Sequence, residues 1–421
     1  MTHASLQAQT DSPAEPNLLR LAGFPYFLIA FVARLPFAMM VVGVLTVVVS
    51  ARGSLSLGGL TSAAVGLGTA CFGPLLGAAA DRFGQRGVLL ILAVANGAAL
   101  MLFTAVVYGS AADGFVLLAA VGIGATAPQV APLSRSRLVG IIRERVSADR
   151  QPQTVSGTMA YESAADETVF VFGPFLVGIL ASAIAPWAPL VGAAALTVLF
   201  VGAFALHPSG RHVSQDRDED GKAPSAVSEL FRPQLLIVVT GILGVGIFFG
   251  SMLTSLTSFM ADLGEPEQAG LLYGVMGVGS AVLALGVAWL PPRFSLRARW
   301  LVFSGILLAG SLLLGFVDSP GMMMFALAIM GIGIGPTLVT QYSFGAARSP
   351  RGRSATVMTM LGSGVVVGQS LGAAVTGEIA ESLGTAPALF LPMIAAAIAF
   401  SAGVANWFLS GAQTRPVDSV G

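Results

Sequence analysis

The chain consists mostly of apolar runs close to the length that an α-helix needs to cross a bilayer, about 20 residues. Twelve such runs are readable, roughly at 23–50, 58–80, 88–108, 113–141, 154–184, 186–206, 233–260, 268–290, 300–317, 320–345, 354–382 and 386–409. Nothing constrains the fold more than this. In hydrocarbon every backbone polar group must be satisfied internally, so a spanning chain is either helical or a closed barrel. Barrel strands are short and alternate apolar with polar residues, and these runs do not alternate. Charged residues make up only 10% of the chain and apolar residues 55%, too little charge to cover a water-soluble surface of this size. The mean hydropathy is +0.83. The 52 glycines suit close helix packing in lipid. The expected fold is all-α and transmembrane, with 12 helices in two pseudo-symmetric six-helix bundles.

The longest polar interruption, 207–232, separates six spans from six. The expected organisation is therefore a cytoplasmic tail (1–22), a first bundle (23–206), a cytoplasmic linker (207–232), a second bundle (233–410) and a cytoplasmic tail (411–421). The polar start of the chain lacks the basic segment and small-residue cleavage site of a signal peptide. Arginine sets the orientation. With the N-terminus inside, the inner loops hold Arg82, Arg86, Arg135, Arg137, Arg143, Arg145, Arg150, Arg211, Arg217, Lys222, Arg232, Arg293, Arg297, Arg299, Arg348, Arg351 and Arg353. The outer loops hold Arg52 alone. Both termini are thus expected in the cytoplasm, and the protein in a plasma membrane. An Arg-rich, almost Lys-free, Ala/Gly-rich composition points to the inner membrane of a high-GC bacterium.

The halves resemble each other. GLTSAAVGLGTA (Gly59–Ala70) aligns with GLLYGVMGVGSA (Gly270–Ala281), and without a gap DRFGQR (Asp81–Arg86) meets PRFSLR (Pro292–Arg297). GIG at Gly122–Gly124 matches GIG at Gly331–Gly333, and GPFLVG (Gly173–Gly178) matches GAAVTG (Gly372–Gly377). Matches in the same order and at similar offsets describe a duplicated six-span unit. Such repeats build transporters that alternate access around a midplane site.

GAAADRFGQRG (Gly77–Gly87), between spans 2 and 3, resembles the loop signature of the major facilitator superfamily: Gly, three residues, Asp, a basic residue, any, Gly, any, then two basic residues. Gly77, Asp81, Arg82, Gly84 and Arg86 match, and Gly87 replaces the last basic residue. The resemblance covers the whole chain except the tails. It implies two six-helix bundles around a central cavity, with transport by rocking. It also implies that Asp81 faces the N-terminus of span 11, near Ser354, where the helix dipole is positive, and that the motif latches the cytoplasmic side shut. FGPFLVG resembles the span 5 motif of antiporters in the superfamily. Gly173, Pro174 and Gly178 match it, while Val177 and Ile179 leave the closing glycine pair incomplete. This motif leans the reading toward export.

The chemistry is concentrated in AYESAADETVFVFGPFLVG (Ala160–Gly178), where Glu162, Asp166 and Glu167 sit inside an apolar run. Arg34 lies at matching depth in span 1, beside Pro36, and the resemblance makes spans 1 and 5 neighbours. A charge in the membrane is costly unless paired. Glu162 and Asp166, four apart, share a helical face, and Glu167 is turned about 100° from Asp166. One arginine cannot neutralise three carboxylates, so at least one acid is expected to take up and release a proton. Asp166 is the favoured partner of Arg34 and Glu167 the favoured proton carrier. Arg34 and these acids are the only charges expected near mid-membrane; the alternative is a purely structural ion pair.

Gln129, Tyr273, Gln341, Tyr342 and Gln369 are the polar candidates for a cavity wall otherwise made of Met, Phe and Gly, a lining that suits an amphiphilic or drug-like substrate. The single cysteine, Cys71, excludes an intrachain disulfide, and neither a metal-spaced Cys/His cluster, a phosphate loop nor a nucleophile elbow is present. No cofactor, metal or catalytic residue is expected, and nucleic acid is not an expected partner. The partners are a small-molecule substrate, protons and the bilayer, with the protein as a monomer. The sequence reads as a proton-coupled exporter. The rival readings are uptake of a small nutrient in the same fold and a non-transporting membrane sensor or assembly factor.

Overall fold

The computed structural model describes residues 22–211, 225–265, 268–291 and 293–411. All but the last residue of the expected N-terminal tail, the centre of the linker and most of the C-terminal tail lie outside the described residues. Among the described residues twelve helices are long and apolar enough to span a membrane: α1 (Phe24–Arg52), α2 (Leu57–Phe83), α3 (Gln85–Tyr108), α4 (Asp113–Arg145), α5 (Gln151–Ala183), α6 (Ala188–Leu206), α7 (Pro233–Asp262), α8 (Ala269–Trp289), α9 (Leu296–Phe316), α10 (Pro320–Arg348), α11 (Ser354–Leu383) and α12 (Thr385–Leu409). Among the described residues no strand occurs. Serines begin several helices by accepting a backbone N–H: Ser54 from Leu57 (3.1 Å), Ser295 from Ala298 (3.3 Å) and Ser319 from Met322 (3.4 Å).

Two of the helices that build the site are interrupted where prolines remove a donor. The first, α1, breaks at Ala33–Arg34, before Pro36, and α4 breaks around Ala127–Gln129, at Pro128. Both breaks lie within the hydrophobic stretch and both position residues of the site.

Helix contacts repeat between the halves. In the first half α1 packs on α5 and α6, α2 on α4, and α3 on α4 and α6. In the second, α7 packs on α11 and α12, α8 on α10, and α9 on α10 and α12. Adding six to each number in the first set gives the second. Small residues allow the closest of these approaches. A Cβ on Gly124 would fall 2.0 Å from the Val65 carbonyl oxygen on α2, and one on Gly335 would fall 2.1 Å from the Ser280 carbonyl oxygen on α8.

The interface between the halves obeys the same symmetry. Helix α11 lies against α2 and α4 of the first half, and its counterpart α5 lies against α8 and α10 of the second. The site is built on these two faces.

Candidate functional site

At mid-depth the break in α1 brings Arg34 against α5. Arg34 is buried and forms its direct ion pair with Glu162, which is also fully buried. A second guanidinium nitrogen lies 3.4 Å from Asp166 Oδ1. The expected pairing of Arg34 with Asp166 is thus present but secondary, and the order is corrected: Glu162 is the closer partner. The reason is where α5 begins. It starts at Gln151 rather than near 154. Glu162 then stands about 16 Å along α5 and Arg34 about 15 Å along α1, at about 1.5 Å per residue.

Arg135 completes the cluster. Its Nη2 lies 2.5 Å from Asp166 Oδ2, and its guanidinium covers the Tyr342 ring on α10 at 3.9 Å. Arg135 and Arg137 are buried within α4, at 2% and 0% exposure, so neither belongs to a loop. Arg34 and the α5 acids are therefore not the only mid-membrane charges. Arg34, Arg135, Glu162 and Asp166 form a neutral set of two cations and two anions. Because a buried charge left without its partner is strongly destabilising, the four fix α1, α4 and α5 together. Asp166 keeps 19% of its surface.

Glu167 stands apart from this set. Among the described residues it pairs with no cation. Its Oε1 accepts a hydrogen bond from the Ser280 hydroxyl, 2.6 Å away on α8, so this carboxylate bridges the two halves. Its Oε2 is buried without a hydrogen-bond partner. Tyr273 lies seven residues before Ser280, on the same face of α8.

Behind the cluster the first half carries a further polar file. Ser134 donates to Glu162 Oε1 at 2.9 Å, and the Tyr26 hydroxyl lies 2.7 Å from Ser134 Oγ. Since Ser134 spends its hydrogen on Glu162, Tyr26 donates to Ser134. Arg137 donates to Gln85 (3.1 Å), to the Phe204 carbonyl (2.9 Å) and to Ser209 (3.2 Å). Past the end of α6, burial and the Arg137 charge hold the His207 imidazole below its ordinary value.

The α2/α11 face is built differently. Asp81 Oδ1 accepts from the Ala355 N–H at 3.0 Å, and Oδ2 accepts from the Thr356 N–H at 2.7 Å and the Thr356 hydroxyl at 2.6 Å. The carboxylate thus caps the first turn of α11, where free N–H groups and the positive dipole end favour an anion. A Cβ on Gly77 would meet Thr359 Oγ1 at 2.0 Å and the Ala355 carbonyl at 2.8 Å, so only glycine lets α2 and α11 meet at this spacing. Gly84 ends α2 at φ 87°, in the left-handed region. Arg82 and Arg86 are exposed, and Arg82 lies over the Phe83 ring at 5.3 Å. At this same end Arg143 donates to the Ala346 carbonyl (2.8 Å) and Arg299 to Ser156 (3.1 Å), each bond crossing between the halves.

Other expected residues divide. Gly173 lets α5 approach α1, since a Cβ there would fall 2.5 Å from that of Ala38. Gly178 is exposed with open space around it and is not a packing glycine. The Pro174 side chain lies outside the described residues. Of the expected cavity wall, Tyr342 and Tyr273 stand at the interface. Gln129 sits buried at the α4 break and donates to the Ala127 carbonyl at 3.1 Å. Gln369 is half-buried on α11. Gln341 is turned into the core of the second half, where its amide would lie 2.8 Å from a Cβ on Gly241, a position also packed by Trp300. That removes Gln341 from the cavity wall. Sequence reading missed Arg135, Ser134, Tyr26 and Ser280. The run Ser134-Arg135-Ser136-Arg137 was a usable signal, because it lies too far from the Arg145 end of α4 to be interfacial.

The fold agrees with comparison to known proteins. The family model of the Major Facilitator Superfamily matches residues 26–373. The chain belongs to that superfamily. No curated protein matches it. Among solved structures, the human organic anion transporter MFSD10 (TETRAN) superposes with a TM-score of 0.69 at 19% identity, over 91% of this chain and 99% of that one. A bacterial homologue of the iron transporter ferroportin, in an outward-facing state, gives 0.71 at 15% identity, over 91% and 98%. The proton:xylose symporter XylE, bound to 6-bromo-6-deoxy-D-glucose, gives 0.68 at 14% identity, over 91% and 95%. The protein is a multi-pass membrane protein with the fold of a transporter.

Proposed function

We propose that the protein is a proton-coupled secondary transporter that exports a drug-like or amphiphilic small molecule by alternating access. The observation that carries this reading is charge balance at mid-depth. Three carboxylates on α5 face two arginines, and the unmatched one, Glu167, lies at the interface between the halves. A buried acid with no cation is stable when it can take a proton, and one between moving halves can meet either side of the membrane in turn. The aromatic side chains of Tyr273 on α8 and Tyr342 on α10, both at the interface between the halves, suit an amphiphilic substrate better than a sugar.

In this reading the Asp81 end faces the cytoplasm of a bacterial inner membrane, with both termini on that side, as the arginine distribution supports. The bundles run over 23–206 and 233–410, joined by the 207–232 linker, and the working unit is a monomer. The Asp81–α11 cap acts as a latch that forms when the cytoplasmic side is shut.

A thermal-shift screen of purified protein against drugs, sugars, peptides and lipids supplies a ligand. Its transport is then followed in everted and right-side-out vesicles under an imposed pH gradient. Uptake into everted vesicles, driven by an acidic interior, is the expected result. Accumulation only in right-side-out vesicles overturns export, and transport indifferent to the gradient overturns proton coupling.

A further inference from the structure

Ser280 is buried at 1% exposure. Its place on α8 is held by glycines of α10. A Cβ on Gly331 would fall 2.7 Å from the Met276 carbonyl, and one on Gly335 would fall 2.1 Å from that of Ser280 itself. The helices touch at backbone level, so Ser280 moves only with the second half. Its hydroxyl is nevertheless spent on an acid of the first half, Glu167, at 2.6 Å.

The groups facing Glu167 are few. Asp166, its neighbour on α5, is held by Arg34 of α1 and Arg135 of α4. On α8 stand Ser280 and Tyr273, and the Tyr273 hydroxyl is directed at the Phe249 carbonyl, 3.5 Å away. Ser280 is thus the hydrogen-bond donor to Glu167 among the described residues.

We propose that Ser280 is a positioning residue that makes closure of the Asp81 end depend on the protonation of Glu167. This deepens the proton-coupled reading and rests on it. While Glu167 is ionised, the bond from Ser280 is charge-assisted, roughly twice as strong as a neutral one, and ties α5 to α8 at mid-depth. A hydronium ion on the open side gives its proton to Oε2, the oxygen without a partner. The hydronium O–H bond breaks and leaves water, one carboxyl O–H bond forms, and the carboxylate becomes neutral. The tie to Ser280 falls to neutral strength, and the ratio of closed to open states at the Asp81 end drops about tenfold. Opening withdraws Ser280 and lets the proton leave on the other side, which restores the anion. Protonation thus favours return to the state open at the Asp81 end, the order that export by proton exchange requires.

The test uses the full-length chain with Cys71→Ala and spin labels on cysteines replacing Ala148 and Ala347, exposed residues of opposite halves near the Asp81 end. Distances are measured at mildly acid and mildly alkaline pH. Wild-type Ser280 is expected to give a short distance in alkali and a growing long-distance population in acid. Glu167→Gln is expected to look acid-like at both. Ser280→Ala is expected to lose the pH dependence while binding the ligand from the thermal-shift screen. Ser280→Cys, a weaker donor, is expected to fall between. A Ser280→Ala protein that keeps the full wild-type response overturns the role of Ser280 and leaves proton coupling standing. A wild-type protein whose distances ignore pH overturns this inference, and gradient-driven transport in the same preparation shows whether proton coupling falls with it.

Discussion

The two halves meet through two faces made of equivalent helices, and the faces hold by opposite means. Where α11 meets α2, contact is made by small side chains and one cap: Gly77 against Thr359, and Asp81 on the first turn of α11. Where α5 meets α8, and α4 beside it meets α10, contact is made by charge: Glu167 to Ser280, and Arg135 over Tyr342. In the repeat that pairs Gly173–Gly178 with Gly372–Gly377, positions 162, 166 and 167 correspond to Leu361, Val365 and Val366. The two copies share a scaffold, and only the α5 copy carries the acids at these positions. Packing of Gly77 against the α11 backbone is insensitive to pH; of the two carboxylates that cross between the halves, Asp81 has both oxygens held by α11 donors, whereas Glu167 keeps one oxygen without a partner and is the one placed to take a proton. The α2/α11 face is suited to setting how closely the halves shut, and the α5 face to setting when.

Four single substitutions, the first with two second-site rescues, probe that contrast. The largest effect is expected on the charged side. Arg34→Gln strands Glu162 without its cation, and breaking a buried pair in this way typically costs about 3–5 kcal/mol. Expression and thermal stability should fall sharply. Adding Glu162→Gln should restore much of the loss, more than adding Asp166→Asn does. Equal rescue by both would mean that Glu162 is not the principal partner.

On the packed side Gly77→Ala should act through geometry. The new methyl meets the Ala355 carbonyl and Thr359, and overpacking of this kind typically costs about 1–3 kcal/mol. Since the contact crosses between the halves, the cost should fall on the closed state. Distances across the Asp81 end should lengthen alike in acid and alkali, with little loss of fold stability. A pH-dependent change would erase the distinction between the two faces.

A smaller contrast lies within α5 itself. Gly173→Ala, aimed at Ala38 of α1, should lower thermal stability measurably. Gly178→Ala, in open space, should stay within about 0.5 kcal/mol of wild type. Equal effects would show that the antiporter-like motif acts as a unit rather than through Gly173.

The spans were legible because lipid demands one thing of each helix, an uninterrupted apolar length, and that is written locally. The duplicated unit was legible for a related reason: glycines at helix crossings recur where the crossings recur, as Gly124 against Val65 and Gly331 against Met276 do, although the GIG match is two residues out of that register. The face of α5 carrying Glu162 and Asp166 followed from helical periodicity. The choice between them did not, because it depended on a three-residue difference in where α5 begins. Arg135 escaped because an arginine in the latter part of a span reads as the start of a basic loop. Only the burial of α4 among α1, α5 and α10 shows otherwise. Ser280 carried no local mark, since a serine in a membrane helix ordinarily bonds its own backbone, as Ser304 does to the Trp300 carbonyl. Its partner lies 113 residues away, in the other half.

The most direct measurement is transport by Glu167→Gln in proteoliposomes, once a ligand is in hand. Two readings are taken from one preparation: exchange of labelled for unlabelled ligand with no pH gradient, and accumulation driven by one. If Glu167 carries the proton, exchange persists and gradient-driven accumulation is lost. If Glu167→Gln, and Asp166→Asn combined with it, still accumulates ligand with the pH dependence of the wild type, the α5 acids are structural and the proton travels elsewhere.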